Sequence, residues 1–485
     1  MIRRKIDCKH RDGSSASGSK FEAIELSLCY IHQFITKTGN PKRQAPTQTW
    51  YNNLENIQKE LKRMPGDKSW YQLDNAGKLY SSIISSRATT LFRLSATLTS
   101  QVDPDYLQRA LELTLERFPF FKVQLKQGFF WYYFEGTDEM PKVEKEMYYP
   151  CMSLSIKRRG SFPYRVYYYN NRIALELSHS MTDGTGGLNF LNELVTQYLH
   201  LKESIPIKQE MISIEQLQSE TENAFRRYYD KKTPAPRTRS GNSFKLPLQL
   251  DKKGYYHIVT GIVRVEALKK KSKEYGVSIS ILLTAVYIQS LLTIQEKTSS
   301  RKRPIVVNVP VNMRSFFPSN TMRNFFVSIT PSIDARLGEY EFEEIIQEIK
   351  IEFSRLLTSK KLKQYIKRSV ISEKSLVLRL MPSPIKDIVA PSIYSFFGEG
   401  QYTSGLSNLG IVQFPNEMEK FIERVECYPP PSIGNKVKAM LISYQENTYI
   451  SFGSLSKDRM LEREFFRSIR ELGIEVTIET NNEEN

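Results

Sequence analysis

The sequence has few of the residues from which common enzyme centres and secreted domains are built. It contains 5 histidines, 4 cysteines and 3 tryptophans in 485 residues. The cysteines are far apart, without the paired spacing of a zinc site or the density of a disulfide-stapled domain: Cys8, Cys29, Cys151 and Cys427. We therefore expect a protein of the reducing cytoplasm that holds no metal.

Several sequence patterns are also missing. We find no apolar run that approaches the roughly 18 residues of a membrane span, so no transmembrane segment or signal peptide is predicted. There is no Gly-x-Ser-x-Gly elbow to display a serine nucleophile, which argues against a covalent acyl-enzyme. The glycines at 184, 186 and 187 lack the lysine and hydroxyl residue that complete a phosphate-binding loop.

Positive charge is in excess. The chain has 69 lysines and arginines against 53 acidic residues, a formal net charge of +16. Such a balance favours an anionic partner, either nucleic acid, a phosphate-bearing co-substrate or an acidic membrane surface. The basic residues are spread along the chain, and no aromatic RNA motif or cysteine-histidine finger accompanies them, so we expect no nucleic acid. Contact with a membrane surface stays open.

The densest group of reactive residue types is the segment 178–187, Ser-His-Ser-Met-Thr-Asp-Gly-Thr-Gly-Gly. Residues 172–177 before it alternate between apolar and other side chains, which predicts a strand. Apolar residues from Leu188 onward recur at helical spacing. His179 therefore lies where a strand passes into a helix, followed by glycines that permit a sharp turn.

His179 is the candidate general base. A neutral imidazole can remove a proton from an attacking hydroxyl or amine and return it to the leaving group. The alternative is a histidine that only fills the core or caps the helix. A metal site at His179 and Asp183 lacks a third ligand nearby in the sequence, and we do not expect one.

The predicted organisation is α/β, with strands and helices that do not alternate regularly, which argues against a doubly wound or barrel fold. We assign residues 1–48 to a flexible basic arm, 49–205 to a first half, 206–250 to a crossing linker and 251–485 to a second half. Predicted elements include helices at 51–64, 341–357 and 460–472, a helix capped by Asp103, a strand at 89–98, hairpins at 122–134 and 164–178, and strands at 405–413, 420–428, 436–445 and 448–454.

Three segments resemble one known family. They are the His-x-x-x-Asp-Gly hexapeptide from His179 to Gly184, Val-Pro-Val-Asn-Met-Arg at 309–314, and Gly-Leu-Ser-Asn-Leu-Gly at 405–410. In this order they resemble the chloramphenicol acetyltransferase-like superfamily of acyltransferases, over roughly residues 50 to 475. Condensation domains of that superfamily usually carry a second histidine where Ser178 stands. The Asp-Phe-Gly-Trp-Gly loop of the plant enzymes is absent, so the resemblance points to the alcohol acetyltransferase branch.

The resemblance implies two α/β halves with mostly antiparallel sheets, an active-site tunnel between them, and a strand of the second half that extends the first sheet. We expect the strand at 405–413 to be that crossing strand. The implied site has His179 as the base, with Asp183, Gly184 and Arg314 in structural roles and Asp183 paired with Arg314. Ser407 and Asn408 are candidates for oxyanion stabilisation or for fixing the loop that provides it.

The resemblance also implies an activity. We expect transfer of an acyl group, acetyl being the first choice, from acyl-CoA as co-substrate to a small alcohol, directly in a ternary complex and without a bound cofactor. Condensation-type formation of an amide or peptide bond is one alternative. A non-catalytic basic binding protein of the same fold is another. We expect a monomer.

Overall fold

A computed structural model describes residues 69–85, 87–152, 160–207, 213–235, 242–374, 381–394 and 398–481. The predicted basic arm at 1–48 and the predicted helix at 51–64 lie outside these residues. The boundaries proposed for the two halves and the linker stay predictions.

The described chain alternates strands and helices irregularly, as predicted. Its first part contains, in order, β1 (Trp70–Gln72), α1 (Asn75–Ile83), β2 (Leu91–Leu98), α2 (Pro104–Arg117), β3 (Val123–Gln127), β4 (Tyr132–Gly136), β5 (Val143–Lys145), β6 (Tyr164–Tyr169), β7 (Arg172–Ser178), α3 (Gly184–Glu203), α4 (Ile214–Thr221) and α5 (Ala224–Arg227).

The second part also mixes strands and helices without regular alternation. It contains, in order, β8 (His257–Arg264), α6 (Val265–Glu274), α7 (Ile279–Thr298), β9 (Ile305–Asn312), β10 (Phe326–Ile329), β11 (Ser332–Ile333), α8 (Phe342–Leu356), α9 (Ser359–Lys374), α10 (Ser383–Ile393), β12 (Ser404–Val412), α11 (Asn416–Glu419), β13 (Ile422–Tyr428), β14 (Val437–Tyr444), β15 (Asn447–Ser454), α12 (Met460–Glu471) and β16 (Thr477–Thr480).

Local signals determine many of these boundaries. The Asp103 side chain accepts a hydrogen bond from the Asp105 amide at 2.9 Å, so the predicted cap of α2 is confirmed. The strand expected from residue 89 begins at Leu91 instead, because Thr90 has φ of 60° and cannot continue an extended backbone. Asn170 takes φ of 50° in the tight turn between β6 and β7, which confirms the predicted hairpin.

Two larger sheets organise the described residues, with a small third sheet of β1, β4 and β3 beside them. One sheet has the order β13-β2-β7-β6-β5, and the other has the order β10-β9-β12-β14-β15-β8-β16, with β11 paired to β9. Most pairs are antiparallel, while β12 runs parallel to both β9 and β14. The predicted fold class, α/β with mostly antiparallel sheets and flanking helices, is confirmed.

The expected crossing strand was wrong. The strand predicted at 405–413 forms β12 in the middle of the larger sheet, where Leu406 packs into the second core. The strand that extends the first sheet is β13, which pairs antiparallel with β2 and sets Cys427 opposite Leu94. Both segments have strand-like sequences, and such a sequence does not specify which sheet edge receives the strand.

Each larger sheet has its own core. In the first core, α2 and α3 pack on Phe92, Leu94 and Leu175 of β2 and β7. In the second core, α7, α8 and α12 pack on the larger sheet. Helix α7 is long and apolar enough to cross a membrane, which the sequence reading had overlooked, but 61% of its most apolar window is buried inside the protein. That burial is typical of the central helix of a domain.

Candidate active site

His179 occupies the first position after β7. Its backbone amide donates to the Thr90 carbonyl at 3.0 Å, directly beyond the pairing of Ser178 with Leu91. The two strands β2 and β7 therefore hold the backbone of His179 as an extension of their ladder. His179 is positioned by a sheet rather than by a free loop.

The turn after His179 is fixed by hydrogen bonds and by the absence of side chains. Asp183 caps α3 by accepting from the Gly186 amide at 3.1 Å, and the Thr182 hydroxyl donates to the Met322 carbonyl at 2.5 Å. A Cβ atom on Gly186 would overlap both the Thr182 hydroxyl and the Met322 carbonyl, and one on Gly184 would overlap Leu409 of β12. The predicted structural role of Gly184 thus has a physical basis in this close contact with the second half.

The predicted ion pair between Asp183 and Arg314 is present. Arg314 Nη1 lies 2.8 Å from Asp183 Oδ2, and both side chains are largely buried. The Phe325 amide donates to the same oxygen at 2.7 Å, while the other oxygen caps α3. Both carboxylate oxygens are therefore engaged in holding the fold.

Arg314 also ties several backbone segments together. Its Nη2 donates to the carbonyls of Thr321 and Arg323, each at 2.7 Å. Its Nη1 contacts Asn312 Oδ1 at 3.2 Å. One guanidinium thus joins the end of β9, the segment before β10 and the turn that follows His179.

The imidazole of His179 lies among aromatic rings. Ring centroids of Phe92, Tyr80 and Phe326 are 4.6, 5.1 and 6.0 Å away. Burial lowers the pKa of His179 to about 4, although the charge of Asp183 opposes the shift, and the charge of Lys438 lowers the pKa further. The imidazole is therefore neutral at pH 7 and able to accept a proton.

Helix α1 supports the imidazole from the other side. Tyr80 of α1 stacks on the His179 ring, and an added Cβ on Gly77 would lie 2.5 Å from the Ser180 carbonyl oxygen. Asn324 links these parts, since its amide donates to the His179 carbonyl at 3.0 Å and to Asp74 at 3.3 Å. Sequence reasoning missed Tyr80, Asp74 and Asn324, because they come from segments remote from the hexapeptide.

Two polar atoms near the imidazole lack hydrogen-bond partners among the described residues. His179 Nδ1 and Asn324 Oδ1 are both buried without a hydrogen-bond partner among the described residues. Asn324 lies close enough to favour the protonated imidazole slightly, but no hydrogen bond of ordinary geometry joins the two side chains.

The two candidates in β12 differ in their surroundings. The Asn408 amide donates to Ser280 Oγ at 3.0 Å, and its oxygen accepts from the Gly410 amide at 2.8 Å beside a bulge in β12. Both ends of this amide are thus occupied in fixing the strand. The half-buried Ser407 has no hydrogen-bond partner for its hydroxyl within the described part of the chain.

A cleft of about 200 Å³ lies elsewhere, between Phe118–Phe121 and α4. It shares Met322 with the support of the histidine turn, but its other lining residues are mainly apolar and do not include His179. We assign it no part in the chemistry. Within the described ranges no three histidine, cysteine or carboxylate side chains are grouped as a metal site would require.

Comparison with known proteins reveals the fold. No protein-family model and no curated protein sequence matches this chain. Among solved structures, the chain is similar to TRI3 trichothecene 15-O-acetyltransferase from Fusarium sporotrichioides, at 13% identity and a TM-score of 0.55, covering 83% of this chain and 94% of that one. It is also similar to F. sporotrichioides TRI101 in complex with coenzyme A and T-2, at 12% identity and a TM-score of 0.58, covering 84% and 99%.

A third likeness comes from peptide synthetases. The first condensation domain of the CDA synthetase matches at 13% identity and a TM-score of 0.54, covering 84% of this chain and 96% of that domain. Together these structures show that the chain has the chloramphenicol acetyltransferase-like fold, which confirms the resemblance inferred from the three sequence segments. At such low identity they show the fold alone.

Proposed function

We propose that this protein is an acyltransferase that moves an acyl group from acyl-CoA to the hydroxyl of an alcohol. The observation that carries the proposal is a neutral, partly accessible imidazole at His179, held by a sheet, an aromatic cage and the Asp183–Arg314 pair. The solved structures add support, because TRI101 was captured with coenzyme A and TRI3 is named an O-acetyltransferase.

His179 acts as the general base in the proposed reaction. It removes the proton of the acceptor hydroxyl while the oxygen forms a bond to the thioester carbonyl carbon. The carbon–sulfur bond then breaks, and the imidazolium returns the proton to the departing thiolate. Asp183 does not carry a proton, because both of its oxygens are engaged with Arg314 and backbone amides.

The developing oxyanion needs a hydrogen-bond donor close by. Of the two candidates, Ser407 is the better one, since its hydroxyl is uncommitted among the described residues. Asn408 is engaged with Ser280 and Gly410, which favours a loop-fixing role for it.

The nucleophilic side chains near His179 favour direct transfer in a ternary complex over a covalent acyl-enzyme. Burial raises the pKa of the Cys151 and Cys427 thiols, so neither offers a thiolate. The Ser178 and Ser180 hydroxyls lie 2.8 Å apart and are both buried beside the histidine turn. No described feature activates a nucleophile to form an acyl-enzyme. Holding donor and acceptor together would then supply much of the rate.

The first test measures thiol release from acetyl-CoA with a panel of alcohols, for the parent protein and His179→Ala. General base assistance typically contributes a factor of about 10² to 10⁴, so we expect turnover to fall by that order. The melting temperature of the variant shows that it remains folded. Turnover within a few-fold of the parent would contradict the role of His179.

The second test is the steady-state pattern with both substrates varied. Transfer in one ternary complex gives intersecting double-reciprocal lines, whereas a covalent acyl-enzyme gives parallel lines. Incubation with acetyl-CoA alone, followed by mass spectrometry of the intact protein, is the companion measurement. An acyl adduct that then passes to the alcohol would overturn direct transfer.

Condensation-type amide formation is a second candidate, favoured by the likeness to the condensation domain of the CDA synthetase. Against it stands Ser178, where such domains usually carry a histidine. An amine acceptor in the same thiol-release assay separates the two activities. Absence of transfer to either acceptor would favour a non-catalytic protein of this fold.

A further inference from the structure

Lys438 is a half-buried lysine on the side of the larger sheet that faces the half carrying His179. It lies on β14, where Val437 and Ala439 point into the second core while Met440 and Ile442 belong to the first core. Successive side chains of a strand alternate between faces, so Lys438 shares the face of Met440 and Ile442, toward the half that carries His179. Its stem crosses Gly405, with Cγ and Cδ 3.7 Å from the position of a Cβ there.

Lys438 has no counter-ion. Among the described residues its ammonium forms no ion pair within 4.0 Å and no hydrogen bond, whereas Lys245 donates to the Glu399 carbonyl at 2.7 Å and Lys386 to the Phe130 carbonyl at 2.5 Å. Glu399 is the carboxylate that most stabilises the Lys438 charge, but its own oxygens accept from Ser432 and Gly434. Burial lowers the pKa of Lys438, and the attraction of Glu399 only partly opposes that shift.

A half-buried ammonium that has no ion pair among the described residues is partly desolvated, and an anionic ligand would offset that cost. Leu409 of β12 packs against the first core and approaches Gly184 in the turn after His179, and Lys438 extends from the same side of the sheet. The phosphates of coenzyme A cannot be that anion if the thioester reacts at His179, because the long pantetheine arm separates them from the sulfur. The anion therefore belongs to the reacting end of a substrate.

We propose that Lys438 binds a carboxylate carried by one of the two substrates next to His179. The inference depends on the acyl transfer proposed above. The carboxylate comes either from the acyl group, as in a dicarboxylic half-thioester, or from the acceptor, as in a hydroxy acid. The preferred reaction thus forms a half-ester or an acylated hydroxy acid, with the hydroxyl proton passing through His179 to the thiolate.

The experiment compares substrates that differ only in the anion. In the donor arm, succinyl-CoA is compared with butyryl-CoA, both with 1-hexanol. In the acceptor arm, hydroxy acids of three to six carbons are compared with the matched alkanols, all with acetyl-CoA. We expect kcat/KM of the parent to be at least about tenfold higher for the carboxylate in one arm, as one well-placed charge pair provides. Equal values in both arms would overturn the proposal.

The decisive variants are Lys438→Met and Lys438→Arg. Methionine keeps the length without the charge, so the ratio of kcat/KM for the carboxylate substrate to kcat/KM for its neutral match should fall to about one. Arginine should retain part of the preference. The matched control is Lys436→Met, because Lys436 precedes the same strand but donates to the Leu248 carbonyl. Equal losses on charged and neutral substrates in Lys438→Met would show that Lys438 serves only packing or the common transition state.

A binding measurement separates failure of this inference from failure of the proposed function. Calorimetric titration with succinyl-CoA, butyryl-CoA and the hydroxy acids requires no turnover. Carboxylate-dependent binding that is lost in Lys438→Met but kept in Lys436→Met supports the site even if no acyl group is transferred. Transfer activity that depends neither on the carboxylate nor on Lys438 would support the proposed function and contradict the anion site.

Discussion

The imidazole of His179 is neutral because aromatic rings and neighbouring backbone remove most of it from water. Charging it would require moving a cation into this apolar surrounding, close to the positive charge of Lys438. Asp183 lowers that cost only in part, because its own charge is shared with Arg314. The same residues that keep His179 neutral at pH 7 therefore make it resistant to protonation.

This surrounding predicts an unusual pH dependence. The folded pKa of His179 is about 4, against 6.5 for an ordinary histidine, so kcat/KM should stay flat as pH falls through 6.5 and decline only near pH 4. Between pH 6.5 and pH 4 this histidine is protonated in the unfolded chain but neutral in the folded protein, so protonation stabilises the unfolded state. The free energy of unfolding should therefore be highest above pH 6.5 and should decrease as pH falls toward 4.

Two measurements check this prediction. The acid limb of kcat/KM is located between pH 4 and 8, and urea unfolding is compared at pH 7 and pH 5 for the parent and His179→Gln. The parent should lose more stability than the variant on going to pH 5, while His200→Gln controls for loss of an imidazole elsewhere. An acid limb near 6.5 would mean that water reaches the imidazole freely.

At the scale of the element, the first turn of α3 depends on close approach of the backbone. Gly186 sits where the Thr182 hydroxyl and the Met322 carbonyl leave no room for a Cβ atom. Helix propensity alone would favour alanine there by about 1 kcal/mol. Overpacking against a backbone carbonyl costs roughly 1 to 3 kcal/mol, so the steric term should win.

Gly186→Ala should therefore be destabilising and should lower turnover, because the displaced carbonyl belongs to the segment that also positions Asn324. The free energy of unfolding and kcat are the quantities to measure. Gly405→Ala is a suitable stability control, since its added Cβ would have no atom closer than 3.6 Å. Unchanged or increased stability of Gly186→Ala would show that the turn can relax at little cost.

At the scale of the whole molecule, several contacts join the two sheets. Strand β13 extends the first sheet, Met440 and Ile442 of β14 contribute to the first core, and Arg314 of the second part pairs with Asp183 of the first. The histidine turn lies where these connections meet. Its geometry therefore depends on the association of both sheets rather than on either one alone.

Arg314→Met tests this dependence. Removing one partner of a buried ion pair leaves the other charge uncompensated and typically costs about 3 to 5 kcal/mol, and turnover should fall with it. Arg336→Met is the matched control, because the Arg336 side chain is 61% exposed in its pair with Asp334 and such surface pairs contribute little to stability. Equal stability changes in the two variants, measured by urea unfolding, would contradict a structural role for the buried pair.

The sequence by itself determined the features that depend on neighbouring residues. Alternation in residues 172–177 and the glycines after Asp183 located His179 between a strand and a helix, and Asp103 marked the start of α2. The three family-like segments predicted the fold and the pairing of Asp183 with Arg314, which the structure contains. These features depend on neighbouring residues or on a family resemblance, so they can be predicted without knowing how the chain packs.

Only the tertiary structure decided the features that depend on distant segments. It placed β13 rather than β12 on the first sheet, stacked Tyr80 on His179, joined Asn324 to the His179 carbonyl and left Lys438 without a partner among the described residues. A strand-like sequence does not specify which sheet edge the strand joins. Nor does the sequence around a lysine specify whether a carboxylate lies within reach of its ammonium. Those outcomes depend on how the two sheets pack together, because burial and charge are set by neighbours that come from remote parts of the chain.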